Sequence, residues 1–251
     1  MYQYIYDSFL SNKKYDKILA NIEARLIDLG IKGKINKLTV LKNFESYIKD
    51  VAQKKSDCLV VVGDDRTLAK ILNIVIENDV ILGFIPIGDK NIIADFFGIP
   101  KENTACEVLS ARKIEEIDLG IVGGQYFLSS VEVFGEGISI ICNNKYEIKT
   151  LAGTEKIGIY NLCLKGPSQN LFNPKDEMLE LVSIPKQEKT IFNFKKKDLK
   201  ETIIKIKRAK ILSSDKSNSV LVDSGKIIKT PVEVKVAEKK LKIIVGKMRK
   251  F

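Results

Sequence analysis

Histidine is absent from all 251 residues. Its absence excludes every mechanism that needs an imidazole as base, acid or ligand, Ser-His-Asp chemistry included. Cysteine is scarce, and Cys58, Cys106, Cys142 and Cys163 show no CxxC spacing and sit in or beside apolar runs. Buried thiols in a reducing compartment are therefore expected, not a disulfide framework or a metal centre. No apolar run approaches the ~20 residues that span a bilayer. Met1–Asp7 has no basic stretch and reads as a strand, so a signal peptide is not expected and the cytoplasm is the expected compartment. Arginine is rare as well. Only Arg25, Arg66, Arg112, Arg208 and Arg249 stand among 42 basic residues, which speaks against a surface built for phosphate geometry.

What is present is a folded globular composition, 45% hydrophobic and 29% charged, long enough for one large or two modest domains. The net charge of +10 is uneven. Residues 1–105 hold 15 basic against 14 acidic side chains, and residues 106–251 hold 27 against 18. A basic second half suits an anionic membrane surface, or simply solvated lysine-rich faces. Stretches such as Lys195-Lys196-Lys197 lack the interleaved aromatics of single-strand binders, so nucleic acid is not an expected partner.

Along the first 105 residues strands and helices alternate. Tyr2–Tyr6 reads as a strand, Lys14–Leu29 as a helix closed by Gly30, Ile35–Thr39 as a strand, and Phe44, Ile48 and Val51 as the face of a helix. Then follow the Leu59–Val62 strand, the Leu68–Ile76 helix, the Val80–Ile85 strand and a helix over Asn91–Phe97. This alternation predicts a parallel sheet with right-handed crossovers. From about residue 106 the period changes. Ile117–Val122, Gly123-Gly124 and Tyr126–Val133 form a hairpin signature. Strands are expected at Ile138–Cys142, Tyr146–Leu151, Ile157–Leu164, Leu179–Ile184, Val220–Asp223, Ile227–Lys229, Val232–Val236 and Leu241–Val245, with one helix at Asp198–Arg208. The fold class expected is thus α/β: a three-layer parallel-sheet domain over 1–105, then an antiparallel β-sandwich over 106–251.

Two strand–loop–helix junctions carry the chemistry. Gly63-Asp64-Asp65-Arg66-Thr67-Leu68 follows one buried strand, and Pro86-Ile87-Gly88-Asp89-Lys90-Asn91 follows the next. Loops of this kind present backbone N–H groups to phosphates at helix N-termini. Asp64, Asp65 and Arg66 also read as plain caps of the Leu68 helix that pair with one another.

Both junctions resemble the diacylglycerol kinase and sphingosine kinase family, which shows GGDGT at the first loop and PxGTxND at the second. Gly63, Asp65 and Thr67 match the first, with Asp64 and Arg66 in place of glycines. Pro86, Gly88 and Asn91 match the second, with Asp89 for Thr and Ile92 for Asp. Asp7-Ser8 replaces an NP after the first strand. Ile117–Leu128 is similar to IDLGxVNGxYFLN, Asp176–Glu180 to DGLLD, and Asp223-Ser224-Gly225 to DGE. The resemblance implies a lipid kinase-like fold that takes ATP and phosphorylates a hydroxyl on a lipid or small polyol, and it implies site residues. Thr39, Gly63, Asp64, Asp65, Arg66, Thr67, Leu68, Gly88, Asp89 and Asn91 would hold the nucleotide. Asn173, Asp176 and the carbonyl of Met178 would hold magnesium. Thr39 also reads as a helix N-cap, and Asp176 as an ordinary turn aspartate.

The departures shape the functional expectation. Asp64 puts a carboxylate where phosphate oxygens would lie. Gly225 stands at the glutamate the family is thought to use as base, leaving Asp223 or Asp65 as substitutes that would need a different reach. Gly137–Cys142 runs through Asn143-Asn144-Lys145 straight into Tyr146–Leu151, where the family inserts helices of its acyl-chain pocket. The expected function is nucleotide or phosphate binding with weak or lost phosphotransfer. The alternatives are an active kinase of a small hydroxyl substrate and a non-catalytic interaction module.

Overall fold

In the computed structural model the described residues are 2–37, 48–49, 58–89, 91–150, 154–164, 172–185, 202–214, 217–223 and 225–251. Two compact units emerge, Met1–Ile117 with Lys239–Phe251, and Asp118–Glu238.

The first unit holds β1 (Tyr2–Tyr6), α1 (Asp16–Asp28), β2 (Gly33–Lys37), β3 (Cys58–Gly63), α2 (Asp65–Glu77), β4 (Leu82–Pro86), α3 (Ile92–Phe96), α4 (Ala105–Ala111) and β5 (Ile114–Ile117). Its sheet runs β2-β1-β3-β4, then the last strand of the chain (Leu241–Ile244), then β5. The pairings from β2 to the last strand are parallel, and only the last strand against β5 is antiparallel. Every residue of β3 and β4 is buried, the mark of a central strand covered on both faces. Gly83 is one place where glycine is required, because an added Cβ would lie 2.7 Å from Leu109 of α4.

The second unit is antiparallel throughout. Its strands are β6 (Gly120–Val122), β7 (Gln125–Phe127), β8 (Ser130–Phe134), β9 (Ile138–Cys142), β10 (Tyr146–Lys149), β11 (Thr154–Tyr160), β12 (Leu179–Pro185), β13 (Thr202–Ile206), β14 (Arg208–Ser213), β15 (Ser219–Val222), β16 (Lys226–Lys229) and β17 (Val232–Val236). They form two six-stranded sheets, β10-β9-β14-β17-β6-β7 and β13-β12-β11-β8-β15-β16. One core joins them: Val122, Phe127, Ile140 and Val234 come from the first sheet, Val133, Ile159, Leu181 and Val220 from the second. The remaining strand, β18 (Leu241–Ile244), belongs to the first unit.

The architecture agrees with the α/β-plus-sandwich expectation, and several details differ. The change of unit falls after Ile117, not between 105 and 106, and β18 returns to the first sheet instead of the sandwich. An apolar LKII strand fits either sheet by pattern, and only pairing decides. The hairpin strands expected to run unbroken are each interrupted, at Asp118-Leu119 and at Leu128-Ser129. Buried Asn161 bridges the two interruptions by donating Nδ2 to the carbonyls of Asp118 (2.6 Å) and Leu128 (2.9 Å). Within the expected Asp198–Arg208 helix, Thr202–Ile206 is instead strand β13. Ile204 and Ile206 alternate onto the sandwich core and the segment pairs with β12, which outweighs its helical reading. The rest of the helix expected around Phe44, residues 198–201 and the Lys195–Lys197 run lie outside the described residues.

Candidate functional site

In the first unit the junction after β3 is closed by its own side chains. Asp64 is the N-cap of α2, and its Oδ1 accepts the N–H groups of Arg66 (3.0 Å) and Thr67 (3.1 Å). Its Oδ2 takes a two-pronged contact from Arg66, Nε at 3.0 Å and Nη2 at 2.8 Å. The carboxylate is buried, while the Arg66 side chain is 75% exposed, so solvent screens the pair. Thr67 Oγ1 donates to Asp7 Oδ2 at 2.8 Å and accepts from the Asp64 N–H at 3.2 Å. Gly63 must be glycine because a Cβ there would lie 2.4 Å from that same hydroxyl. Burial pushes the Asp7 carboxyl up, but the Thr67 hydroxyl, the Lys70 ammonium at 3.5 Å and Ser8 hold it below its ordinary value.

Asp65 faces the second junction. Its carboxylate accepts the amides of Ile92 (2.7 Å) and Ile93 (3.3 Å) at the start of α3. Burial raises its pKa against the pull of those amides, and the charge of Asp64 adds to the rise. Gly88 has φ +97 with open space around it. Asn91 donates Nδ2 to the Gly88 carbonyl at 2.7 Å, and its Oδ1 is buried with no hydrogen-bond partner. Leu68 is buried on α2, Asp89 is exposed beside Gly88, and Thr39 lies outside the described residues.

In the second unit Asp223 does not stand ready to take a proton. Its carboxylate accepts three amides, from Leu128 (2.9 Å), Ser129 (2.7 Å) and Ser130 (3.0 Å), and so ties the β15–β16 turn to the β7–β8 junction. Burial raises its pKa while those amides oppose the rise. Gly225 has open surroundings, the nearest atom to an added Cβ being 3.8 Å away. The Asp176 turn is also self-contained. Asp176 Oδ1 accepts from the Met178 N–H (3.1 Å), its Oδ2 holds Lys205 Nζ at 2.5 Å, and Asn173 Oδ1 accepts from the Lys175 N–H (3.2 Å). Among the described residues no three acidic or thiol side chains gather as a metal site. An ammonium already sits on the one carboxylate of the set, so these residues do not fit a magnesium ion.

The comparisons with known proteins follow this geometry. The model of the diacylglycerol kinase catalytic domain matches residues 3–122. The match takes in just under half of the chain, and over that span the chain is similar to the diacylglycerol kinase catalytic domain. A diacylglycerol kinase of Bacillus subtilis (strain 168) is 27% identical over 129 residues, 50% of this chain and 43% of that relative, so the match spans less than half of the relative's length. A crystal structure of a diacylglycerol kinase from Bacillus anthracis str. Sterne superposes with a TM-score of 0.76 at 17% identity, covering 98% of this chain and 97% of that one. A second crystal structure from the same strain gives 0.80 at 16% identity, covering 98% and 96%. At such identities the likeness shows the fold, and it extends through both units.

Set beside the other family residues, two side chains escaped the sequence reading of the site. Glu180 occupies the final acidic position of the DGLLD-like segment and is fully buried. Lys205 lies 29 residues from the Asp176 it pairs with. An acidic residue alternating with buried leucines was the available signal for Glu180; nothing local marks Lys205.

Proposed function

We propose that this chain is a diacylglycerol kinase-family protein that binds a nucleotide weakly and has lost useful phosphoryl transfer. The observation that carries the reading is the Asp64 carboxylate, which occupies the Arg66 and Thr67 amides at the α2 N-terminus. Those amides are the groups by which such a loop receives phosphate. A nucleotide has to displace a buried internal anion to reach them. What favours residual binding is the second junction, where Gly88 leaves open space and Asn91 Oδ1 has no partner.

Kinases in general use ATP with a metal ion and deliver phosphate to a hydroxyl, and they need positioning, charge neutralisation and a base. Here Gly225 has no side chain to take a proton. Asp65 and Asp223, the substitutes considered, are held by two and three backbone amides. Loss of a general base alone removes on the order of 10²–10⁴ in rate.

One observation favours a second reading, a kinase of a small hydroxyl compound. β9 and β10 are joined by a tight hairpin through Asn143 and Asn144, both at positive φ, with no room for the helices of an acyl-chain pocket. One assay separates the readings: labelled ATP offered to diacylglycerol vesicles and to a panel of soluble polyols. The expected turnover is that of a heat-inactivated control on every acceptor. Turnover of polyols alone establishes the second reading, and robust turnover of diacylglycerol overturns both.

A further inference from the structure

Glu180 is 1% exposed on β12, and neither of its carboxylate oxygens has a hydrogen-bond partner. Its neighbours Leu179 and Leu181 point into the sandwich core, so Glu180 faces the opposite side of the sheet. Directly across from it on β13 is Lys205, on that same face. Lys205 Nζ also sits 2.5 Å from Asp176 Oδ2. One ammonium is therefore bonded to the Asp176 carboxylate and belongs to the residue paired across the strands with Glu180.

A carboxylate taken out of water either keeps its proton or takes a counter-charge, and a hard divalent cation with oxygen ligands is one way to supply the charge. We infer that Lys205 is a built-in replacement for a divalent cation at the Asp176–Glu180 pair, so that the second unit folds without magnesium. Two features distinguish this from a surface ion pair of little consequence. Glu180 is sealed and has no hydrogen bond to replace the lysine. Asp176 is already turned inward by the Met178 amide, which leaves its second oxygen for a cation alone. The inference concerns folding and ion binding, and it holds whether or not the chain transfers phosphate.

The test compares thermal unfolding and manganese binding by electron paramagnetic resonance in wild type, Lys205→Met and Lys205→Met/Asp176→Asn. The wild-type midpoint is expected to be the same in chelator and in millimolar magnesium, manganese or calcium, with no manganese bound. Lys205→Met is expected to fall by several degrees in chelator, to recover in a divalent cation and to bind manganese. The double variant should neither recover nor bind. If Lys205→Met does not fold in chelator, refolding from urea decides: recovery only with a divalent cation supports the inference, and no recovery with any of them overturns it. A Lys205→Met protein that no cation stabilises also overturns it, as does a wild type stabilised by magnesium in a manner that Asp176→Asn abolishes.

Discussion

The two units answer the family's ligand positions in opposite charge but in the same way. In the first, where the resemblance places phosphate oxygens, Asp64 supplies a carboxylate to the waiting amides. In the second, where it places a cation, Lys205 supplies an ammonium to Asp176. The fold is preserved in both, with a TM-score of 0.80 against one relative at 16% identity. At each of these positions a side chain of the matching sign balances the charge from within the chain itself. The units differ in how the cation is held. Arg66, 75% exposed, contacts buried Asp64 directly, whereas Lys205, 50% exposed, is bonded to Asp176 and only pairs across the strands with sealed Glu180.

The largest expected effect breaks the second unit. Asp223→Ala leaves three amides without an acceptor and is expected to cost about 3 kcal/mol or more in urea unfolding. Asp223→Asn, which keeps one acceptor oxygen that can serve the Ser129 and Ser130 amides, should cost less. Equal losses in the two variants would mean the amides are satisfied otherwise.

The next effect is electrostatic. Burial and the charge of Asp176 raise Glu180 from 4.5 to about 7 in the folded chain. Between those values the folded chain keeps a proton that the unfolded chain has released, so stability falls as pH rises through this window and levels off above it. The fall is on the order of 3 kcal/mol, from 1.36 kcal/mol per unit. Glu180→Gln should remove this slope and be the more stable protein at pH 8. A wild-type profile that is flat from pH 4.5 to 7 would show that Lys205 fully neutralises the site.

A smaller effect sharpens the comparison from the side of the first unit. Asp64→Gly removes the cap and the internal anion together. It is expected to cost about 1 kcal/mol in stability or less while tightening ATP binding several-fold, read by calorimetry. Unchanged or weaker binding would show that Asp64 does not compete with phosphate. The smallest effect belongs to Gly225→Glu. Open surroundings at Gly225 predict a stability change within about 0.5 kcal/mol, with turnover still near background because the phosphate and acceptor positions remain altered. Recovered turnover would make the missing base the whole defect.

Much of the architecture was legible because its signals are local. The buried run of β3 ending at Gly63, the amphipathic α2 and the Gly123-Gly124 turn each declare themselves within a few residues. The two loops were legible as positions, at Gly63–Leu68 and at Gly88 and Asn91, but their hydrogen-bond partners were not. Whether Asp64 would cap α2 or meet a ligand, and that Asp65 would reach across to the amides of Ile92 and Ile93, depends on where a second loop lands.

The sequence by itself determined the alternation of strand and helix, the switch to closely spaced strands and the two glycine loops. These follow from side-chain periodicity and from what glycine permits. Tertiary structure alone decided that β18 returns to the first sheet, that Thr202–Ile206 is a strand, that Asp223 locks the β7–β8 junction and that Lys205 lies opposite Glu180. Each of these is a pairing between residues far apart in the chain. Its energy is set by strand register and by which groups are sealed from water together, and neither quantity is a property of any short stretch of sequence.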